Sequence, residues 1–257
     1  MLKHVALVTL LALELSTTAA GQTGRTPTST AGLETLALRD SQKAEAERAL
    51  ARLGDLSIDT VRERLAKMRP PAYLPGPVLL NEIIKQQRLP VSSSERVERL
   101  KAALQPVLAY HQRDGKLPII VVRSEQPKAY LVARAAIIIT TQLMLITGEA
   151  ELRGIIAHEL AHEYLWEERE RAFKENDESR LREIELFCDA VAVMTLKEIG
   201  DDPAHYARAL ERLTYIGITA GNATRHESKT HPTLEARVKL NRWLCQQLGR
   251  VTHLASE

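Results

Sequence analysis

The sequence predicts a mainly α-helical protein with a small β-sheet, that is, an α+β fold. After residue 33, apolar residues recur at helical spacing between charged ones over most of the chain. Short runs rich in β-branched residues occur between residues 117 and 141, a pattern typical of strands. Apolar residues make up 44% of the 257 residues, which is enough to fill the core of one large domain.

Residues 1–20 predict a secretory signal peptide. Lys3 and His4 precede the apolar run Val5–Leu15, and small residues end at Ala20, where we expect cleavage. A helix that docks on the domain is the alternative. The run is too short to span a bilayer comfortably, and no later run is long enough. We therefore expect a soluble, exported protein, periplasmic or secreted, with no transmembrane segment after cleavage.

A polar linker, residues 21–33, and a helical N-terminal region, residues 34–116, follow. Four prolines break this region between residues 69 and 77. Ser57 or Asp59 is expected to cap the second helix, and Ser93 or Ser94 the fourth. The apolar spacing predicts helices over residues 33–53, 57–68, 78–89 and 92–112.

The remaining predicted domain, residues 117–250, begins with strands and returns to helices. The predicted strands are Leu117–Ser124, Lys128–Val132 and Ala135–Thr141. The predicted helices are Glu149–Trp166, Glu178–Glu198, Pro203–Ile216 and Pro232–Leu248.

The segment "AHELAH" carries the strongest chemical signal. His158 and His162 are four residues apart, so a helix places both imidazoles on one face, where they can bind one ion. Zinc suits two imidazoles, and a catalytic zinc site needs a third protein ligand and an open position for water. Glu159 is next to the first histidine and is placed to activate that water as general base. A surface helix with two solvated histidines is the alternative. We expect one zinc ion per chain.

The segment "REIELFCDAVAVMTL" offers Glu183 and Glu185 as the third ligand. Glu185 and Asp189 share one face inside an apolar run, and a buried carboxylate is costly without a cation or hydrogen bonds. We therefore expect Glu185 to bind zinc and Asp189 to accept the free ring N–H of a ligand histidine, His158. Glu183 is expected to face solvent. The alternative is that Glu185 and Asp189 form a salt-bridge pair on an exposed edge.

Four segments together resemble a known family. "ELRGIIAHELAH" followed by "ELFCDA" resembles the gluzincin metallopeptidases, and within them the CAAX prenyl endopeptidases and related envelope quality-control proteases. "KAYLVARAAIIITTQLM" fits a family segment in length, and "HPTLEAR" supplies His231, Pro232 and Arg237. The resemblance covers roughly Leu117–Leu248. It implies a zincin-type metallopeptidase core behind an N-terminal helical extension.

The resemblance also implies a substrate-binding edge strand at Ala129, Tyr130 and Leu131. Such a strand pairs with an extended peptide through its backbone, whatever its side chains are. Lys128 stands where the family commonly has Asn, and residues 133–135 replace its Pro-Gly-Gly. We therefore expect the binding mode to be retained and the specificity to differ. The membrane helices of the prenyl protease are absent, so prenylated substrates are not expected.

Two residues of "HPTLEAR" have several open roles. His231 either donates a hydrogen bond to the oxyanion of the scissile carbonyl, or caps the helix that follows Pro232. The resemblance to periplasmic relatives implies a third role, a fourth zinc ligand that holds the enzyme inactive. Arg237 either stabilises the oxyanion or pairs with an acidic neighbour.

These observations favour a zinc endopeptidase of extended or unfolded polypeptides, acting in envelope protein quality control. A chaperone-like or regulatory zinc module, closed by His231, is the second hypothesis, and a hydrolase of non-peptide amides is a weaker third. The net charge of +2 and an aromatic content of 4% argue against nucleic acid as a partner. Peripheral contacts with a membrane or an outer-membrane assembly are a further expectation. A disulfide between Cys188 and Cys245 stays open.

Overall fold

The computed structural model describes residues 40–69, 81, 84–85, 91–132, 134–219 and 230–254. The predicted signal peptide, the linker, the proline-rich break, most of the predicted helix 78–89 and the polar segment 220–229 lie outside the described residues. Among those that are described, no helix is both long enough and apolar enough to cross a membrane.

The described elements are mainly helical, with three strands between the third and fourth helices, which confirms the predicted fold class. Side-chain caps begin several helices: Ser57 accepts from the backbone N–H of Thr60, and Ser94 from that of Val97. The helices are α1 (Asp40–Ala51), α2 (Ile58–Met68), α3 (Glu95–Tyr110), α4 (Thr141–Ile146), α5 (Glu149–Ala161), α6 (Trp166–Glu175), α7 (Glu178–Glu198), α8 (Ala204–Thr219) and α9 (Leu234–Leu254).

The sheet consists of β1 (Ile119–Val122), β2 (Ala129–Val132) and β3 (Ala136–Thr140), in the order β1-β3-β2. β3 is parallel to β1 and antiparallel to β2. All residues of β1 and β3 are buried, whereas the first three residues of β2 are partly exposed. β2 therefore forms an edge of the described sheet, and it packs against α5.

The helices α5 and α7 form the centre of the core. α7 is buried over most of its length because its apolar run covers more than one face. On α5, Gly154 lies against α8: a Cβ atom there would stand 2.9 Å from Cβ of Tyr206 and 3.2 Å from Cδ1 of Leu196. The absence of a side chain at Gly154 thus allows α7 and α8 to approach α5 closely.

The helix predicted from Glu149 to about Trp166 is shorter in the structure, where α5 ends at Ala161. A separate helix, α6, begins at Trp166 and was not predicted. α6 is strongly charged, so apolar spacing gave little signal for it. Its end is marked by Asn176, which has the left-handed backbone conformation that often terminates helices.

Glu183 was predicted to face solvent, and this was wrong. Its side chain is only 3% exposed and accepts hydrogen bonds from Arg48 at 3.0 Å and Arg52 at 3.1 Å, both contributed by or following α1. Arg180 pairs with it as well. Packing of α1 on α7 therefore buries Glu183 among cations, an arrangement that local spacing on α7 does not reveal.

Candidate metal centre

The structure brings His158, His162 and Glu185 together. α5 supplies the two histidines from adjacent turns, and α7 supplies the glutamate from the facing surface. One ligand atom from each of the three lies within 4.8 Å of the others. Nε2 of His158 is 3.3 Å from Oε2 of Glu185, and Nε2 of His162 is 3.6 Å from Oε1. All three residues are buried, which excludes both solvated histidines and an exposed carboxylate pair.

The donor set fits a zinc ion. Oε2 of Glu185 is buried, and its contact of 3.3 Å with Nε2 of His158 lacks the geometry of a hydrogen bond, an arrangement that is costly unless a cation is present. Burial acts to raise the pKa of Glu185, but His231, His162 and His158 outweigh it and hold this pKa well below its ordinary value. Two imidazole nitrogens and one ionised carboxylate form the protein ligand set of a catalytic zinc site.

Behind His158 lies a hydrogen-bonded network that involves three helices. Nδ1 of His158 is 3.0 Å from Oδ1 of Asp189 and 2.9 Å from the hydroxyl of Tyr206. Arg237 donates to both oxygens of Asp189, at 2.7 and 2.8 Å. Burial works to lower the pKa of His158, but the carboxylates of Asp189 and Glu185 outweigh it and raise this pKa to about 9.

His162 has a different neighbour on its second ring nitrogen. Sγ of Cys188 lies 3.4 Å from Nδ1 of His162. Burial raises the pKa of the Cys188 thiol well above its ordinary value, so it stays protonated. Both Cys188 and Cys245 are free thiols, so the disulfide left open by the sequence is not formed.

Glu159 lies between the metal ligands and the edge strand. Its Oε2 accepts a hydrogen bond of 3.2 Å from the backbone N–H of Leu131. The backbone carbonyl of Lys128 accepts a hydrogen bond from the N–H of Thr140 in β3, so the backbone groups of Lys128 face β3. Successive residues of a strand direct their N–H and C=O groups to opposite sides, and Leu131 is three residues further on. Its N–H therefore points away from β3. Burial raises the pKa of Glu159 to about 7, close to the value that suits a general base.

The segment Ala129–Leu131, predicted to bind substrate, forms most of β2, with Tyr130 at its centre. Its outer edge therefore lies next to Glu159.

His231 also lies at this site. Its Nε2 is 3.6 Å from Oε2 of Glu185, and its Nδ1 is 2.7 Å from the hydroxyl of Thr230. The oxyanion and fourth-ligand roles of His231 stay predictions. Of the two roles considered for Arg237, the structure shows pairing with an acidic neighbour, Asp189, and the oxyanion role stays a prediction.

Tyr206 and Gly154 were missed by the sequence analysis. A tyrosine in an amphipathic helix is typical of a core position, and no spacing relates Tyr206 of α8 to His158 of α5. The one usable signal was Gly154, four residues before His158 on the same helix face, since a glycine inside a helix often marks a close approach.

Two histidines, a glutamate from a second helix and a glutamate next to the first histidine are the side chains with which a zinc-dependent hydrolase holds its metal and activates water. Residues 94–176 match the model of peptidase family M48. The matched stretch contains His158, Glu159 and His162 and ends before Glu185. This match supports a zinc metallopeptidase, while the finer resemblance to the CAAX prenyl endopeptidases stays a prediction. No match was found among the curated proteins.

Proposed function

We propose that the protein is a zinc-dependent endopeptidase that cleaves extended or unfolded polypeptides. The observation that carries the proposal is the convergence of His158, His162 and Glu185, with Glu159 placed between them and the edge strand β2. The match to a zinc peptidase family supports the same activity and does not favour the chaperone-like alternative.

His158, His162 and Glu185 would hold the zinc ion. When bound there, zinc supplies Lewis-acid polarisation of a carbonyl and lowers the pKa of water. Glu159 accepts the proton of the attacking water and passes it to the leaving amine. A pKa of about 7 for its carboxyl group suits both transfers, because the group gains and loses a proton easily near neutral pH.

The edge strand supplies the means of holding a substrate. The outward N–H of Leu131 is bonded to Glu159, and by the alternation along the strand the backbone groups of Ala129 and the carbonyl of Leu131 also point away from β3. An extended peptide pairs with such an edge through main-chain hydrogen bonds, which places its carbonyl groups near the metal ligands. Because this pairing needs little from side chains, it accounts for broad action on unfolded chains better than for action on small amides.

We further propose that the protein is exported and acts in envelope quality control. The signal-peptide pattern of residues 1–20 supports export. Selection of unfolded polypeptides suits a quality-control protease, because folded proteins rarely offer an unpaired extended segment.

The test is cleavage of casein, an unfolded protein, by the purified chain loaded with zinc. Glu159→Gln is expected to retain zinc and to lower the cleavage rate by about 10²–10⁴-fold. Glu167→Gln is the matched control, because Glu167 is an exposed glutamate on the neighbouring helix α6 and should leave the rate unchanged. Full activity in Glu159→Gln would contradict the assignment of the general base. A wild-type chain that binds zinc but cleaves nothing would contradict the proposed activity.

A further inference from the structure

The hydroxyl of Tyr206 occupies a central place behind the metal ligands. It lies 2.6 Å from Oδ1 of Asp189, 2.9 Å from Nδ1 of His158 and 3.1 Å from a guanidinium nitrogen of Arg237. The residue is 1% exposed. Tyr206 thus contacts the candidate zinc ligand His158 and also Asp189 and Arg237, which form an ion pair next to that histidine.

The directions of these hydrogen bonds can be assigned from chemistry. Arg237 can only donate, and the ionised Asp189 can only accept. Tyr206 has a single proton, and its short contact to the carboxylate uses that proton as donor. The phenolic oxygen then acts as an acceptor toward Arg237 and toward Nδ1 of His158. The network therefore requires that Nδ1 of His158 carry a proton.

This protonation state matters for the metal. When Nδ1 of the neutral imidazole carries the proton, Nε2 keeps its lone pair, and Nε2 is the atom that faces Glu185. Groups that fix the tautomer and the ring orientation of a ligand histidine raise metal affinity. Asp189 contributes to this by accepting a hydrogen bond from Nδ1 of His158. Tyr206 contributes in two ways, because its hydroxyl accepts from the same Nδ1 and donates to Asp189.

A second, independent feature shows that the position of Tyr206 is built into the fold. Gly154 is on the same helix as His158, four residues earlier, and a Cβ there would stand 2.9 Å from Cβ and 3.1 Å from Cδ2 of Tyr206. A separation of 2.9 Å is shorter than Cβ atoms tolerate, so a side chain at position 154 would displace Tyr206. The tyrosine ring therefore reaches the network only because position 154 has no side chain.

We propose that Tyr206 is a positioning residue for zinc binding, which fixes the tautomer and orientation of His158 together with Asp189, and that Gly154 admits it. The inference rests on the proposed zinc function. Tyr206 touches neither substrate nor zinc and acts through His158.

The test is the zinc affinity of Tyr206→Phe, measured by competition with a chromophoric chelator. Loss of the hydroxyl is expected to weaken zinc binding about tenfold, the lower end of the range for such partners, because Asp189 still accepts from His158. Cobalt-loaded protein should show an altered visible spectrum. Tyr164→Phe is the matched control, since its buried hydroxyl also contacts Nδ1 of a histidine, His111, which is not one of the candidate metal ligands. It should leave zinc affinity and the cobalt spectrum unchanged.

Gly154→Ala provides a second variant. The added methyl group should displace the Tyr206 ring and weaken zinc binding by a similar factor. Gly148→Ala, before the first residue of the same helix, is its control, because a Cβ there meets only Oε2 of Glu151 at 3.9 Å. Circular dichroism and metal-free unfolding of each variant report on the fold separately.

The outcomes separate the two proposals. Zinc affinity in Tyr206→Phe equal to that of the wild type would overturn the inference about Tyr206 alone. A wild-type chain that binds no zinc would overturn the proposed function, and this inference with it. A tenfold loss in Tyr206→Phe with none in Tyr164→Phe supports it.

Discussion

Two buried histidines of this protein each have a tyrosine hydroxyl on Nδ1. His111 pairs with Tyr164 at 2.7 Å, and His158 pairs with Tyr206 at 2.9 Å. The second ring nitrogen distinguishes them. Nε2 of His111 contacts the hydroxyl of Thr195 at 3.0 Å, whereas Nε2 of His158 faces the carboxylate of Glu185.

The charges around the two rings explain their different behaviour. Burial, with a smaller contribution from the cations Arg69 and Arg113, lowers the pKa of His111 to about 3, so this histidine stays neutral. Around His158, two carboxylates outweigh burial and raise the pKa to about 9 in the absence of metal. A histidine–tyrosine pair surrounded by cations and hydroxyls, as at His111, thus has a structural role. A pair surrounded by carboxylates, as at His158, attracts a cation, either a proton or a metal ion.

The largest difference between the two histidines should appear in zinc affinity when each is replaced with alanine. His158→Ala removes a zinc ligand and is expected to lower zinc affinity by more than about 100-fold, beyond the loss typical of a partner that acts through a ligand. His111→Ala should leave zinc affinity unchanged. It should lower the free energy of unfolding by about 1–3 kcal/mol, because the buried hydroxyl of Thr195 loses its partner.

Chelator competition and urea unfolding measure these two quantities on the same samples. A large loss of zinc affinity in His111→Ala would contradict the comparison, since it would show that His111 and its partners Tyr164 and Thr195 affect metal binding.

A second effect should appear in the pH dependence of stability. His111 has a pKa of about 3 in the folded protein and an ordinary value of 6.5, taken for the unfolded chain. Between these pH values the unfolded chain binds the additional proton, so the contribution of His111 is complete above pH 6.5 and is lost as pH falls toward 3. Its slope is at most about 1.4 kcal/mol per pH unit.

Urea unfolding of the wild type and of His111→Gln between pH 7 and pH 4 isolates this contribution, because both proteins share the titration of His158. The wild type should lose stability more steeply as pH falls. Equal slopes would show that His111 is not held neutral by the fold.

The smallest effect is expected at Cys188, whose thiol contacts Nδ1 of His162. A thiol is a weak hydrogen-bond acceptor, so it should orient the ring less than Asp189 and Tyr206 orient His158. Cys188→Ala is expected to weaken zinc binding by less than about tenfold, measured by the same chelator competition. Cys245→Ala, which changes a partly buried thiol elsewhere, serves as control. A loss larger than that of Tyr206→Phe would reverse the order proposed for the two ligand histidines.

Local spacing was enough to predict the fold class and the candidate metal ligands. The four-residue separation of His158 and His162 depends only on helix geometry, and the bounds Glu178–Glu198 predicted for the helix of Glu185 are those of α7. Carboxylates inside an apolar run on that helix indicated a buried site because an isolated buried charge is costly.

Residues whose roles depend on packing between distant helices were not predictable in this way. Glu183 appeared to face solvent because its partners Arg48 and Arg52 come from a region more than a hundred positions away. Tyr206 was missed for the same reason. Its hydroxyl reaches His158 only through the close approach of α8 to α5 at Gly154, which no periodicity along either helix encodes.

The pairing of Arg237 with Asp189 has a consequence for biosynthesis. A ribosome makes His158, His162, Glu185 and Asp189 before it makes Arg237, which lies in the last described helix. Burial of Asp189 without that cation would be costly. We therefore expect the site to be completed only when α9 docks, so that a partly synthesised chain would not carry a complete metal site beside its own unfolded segments.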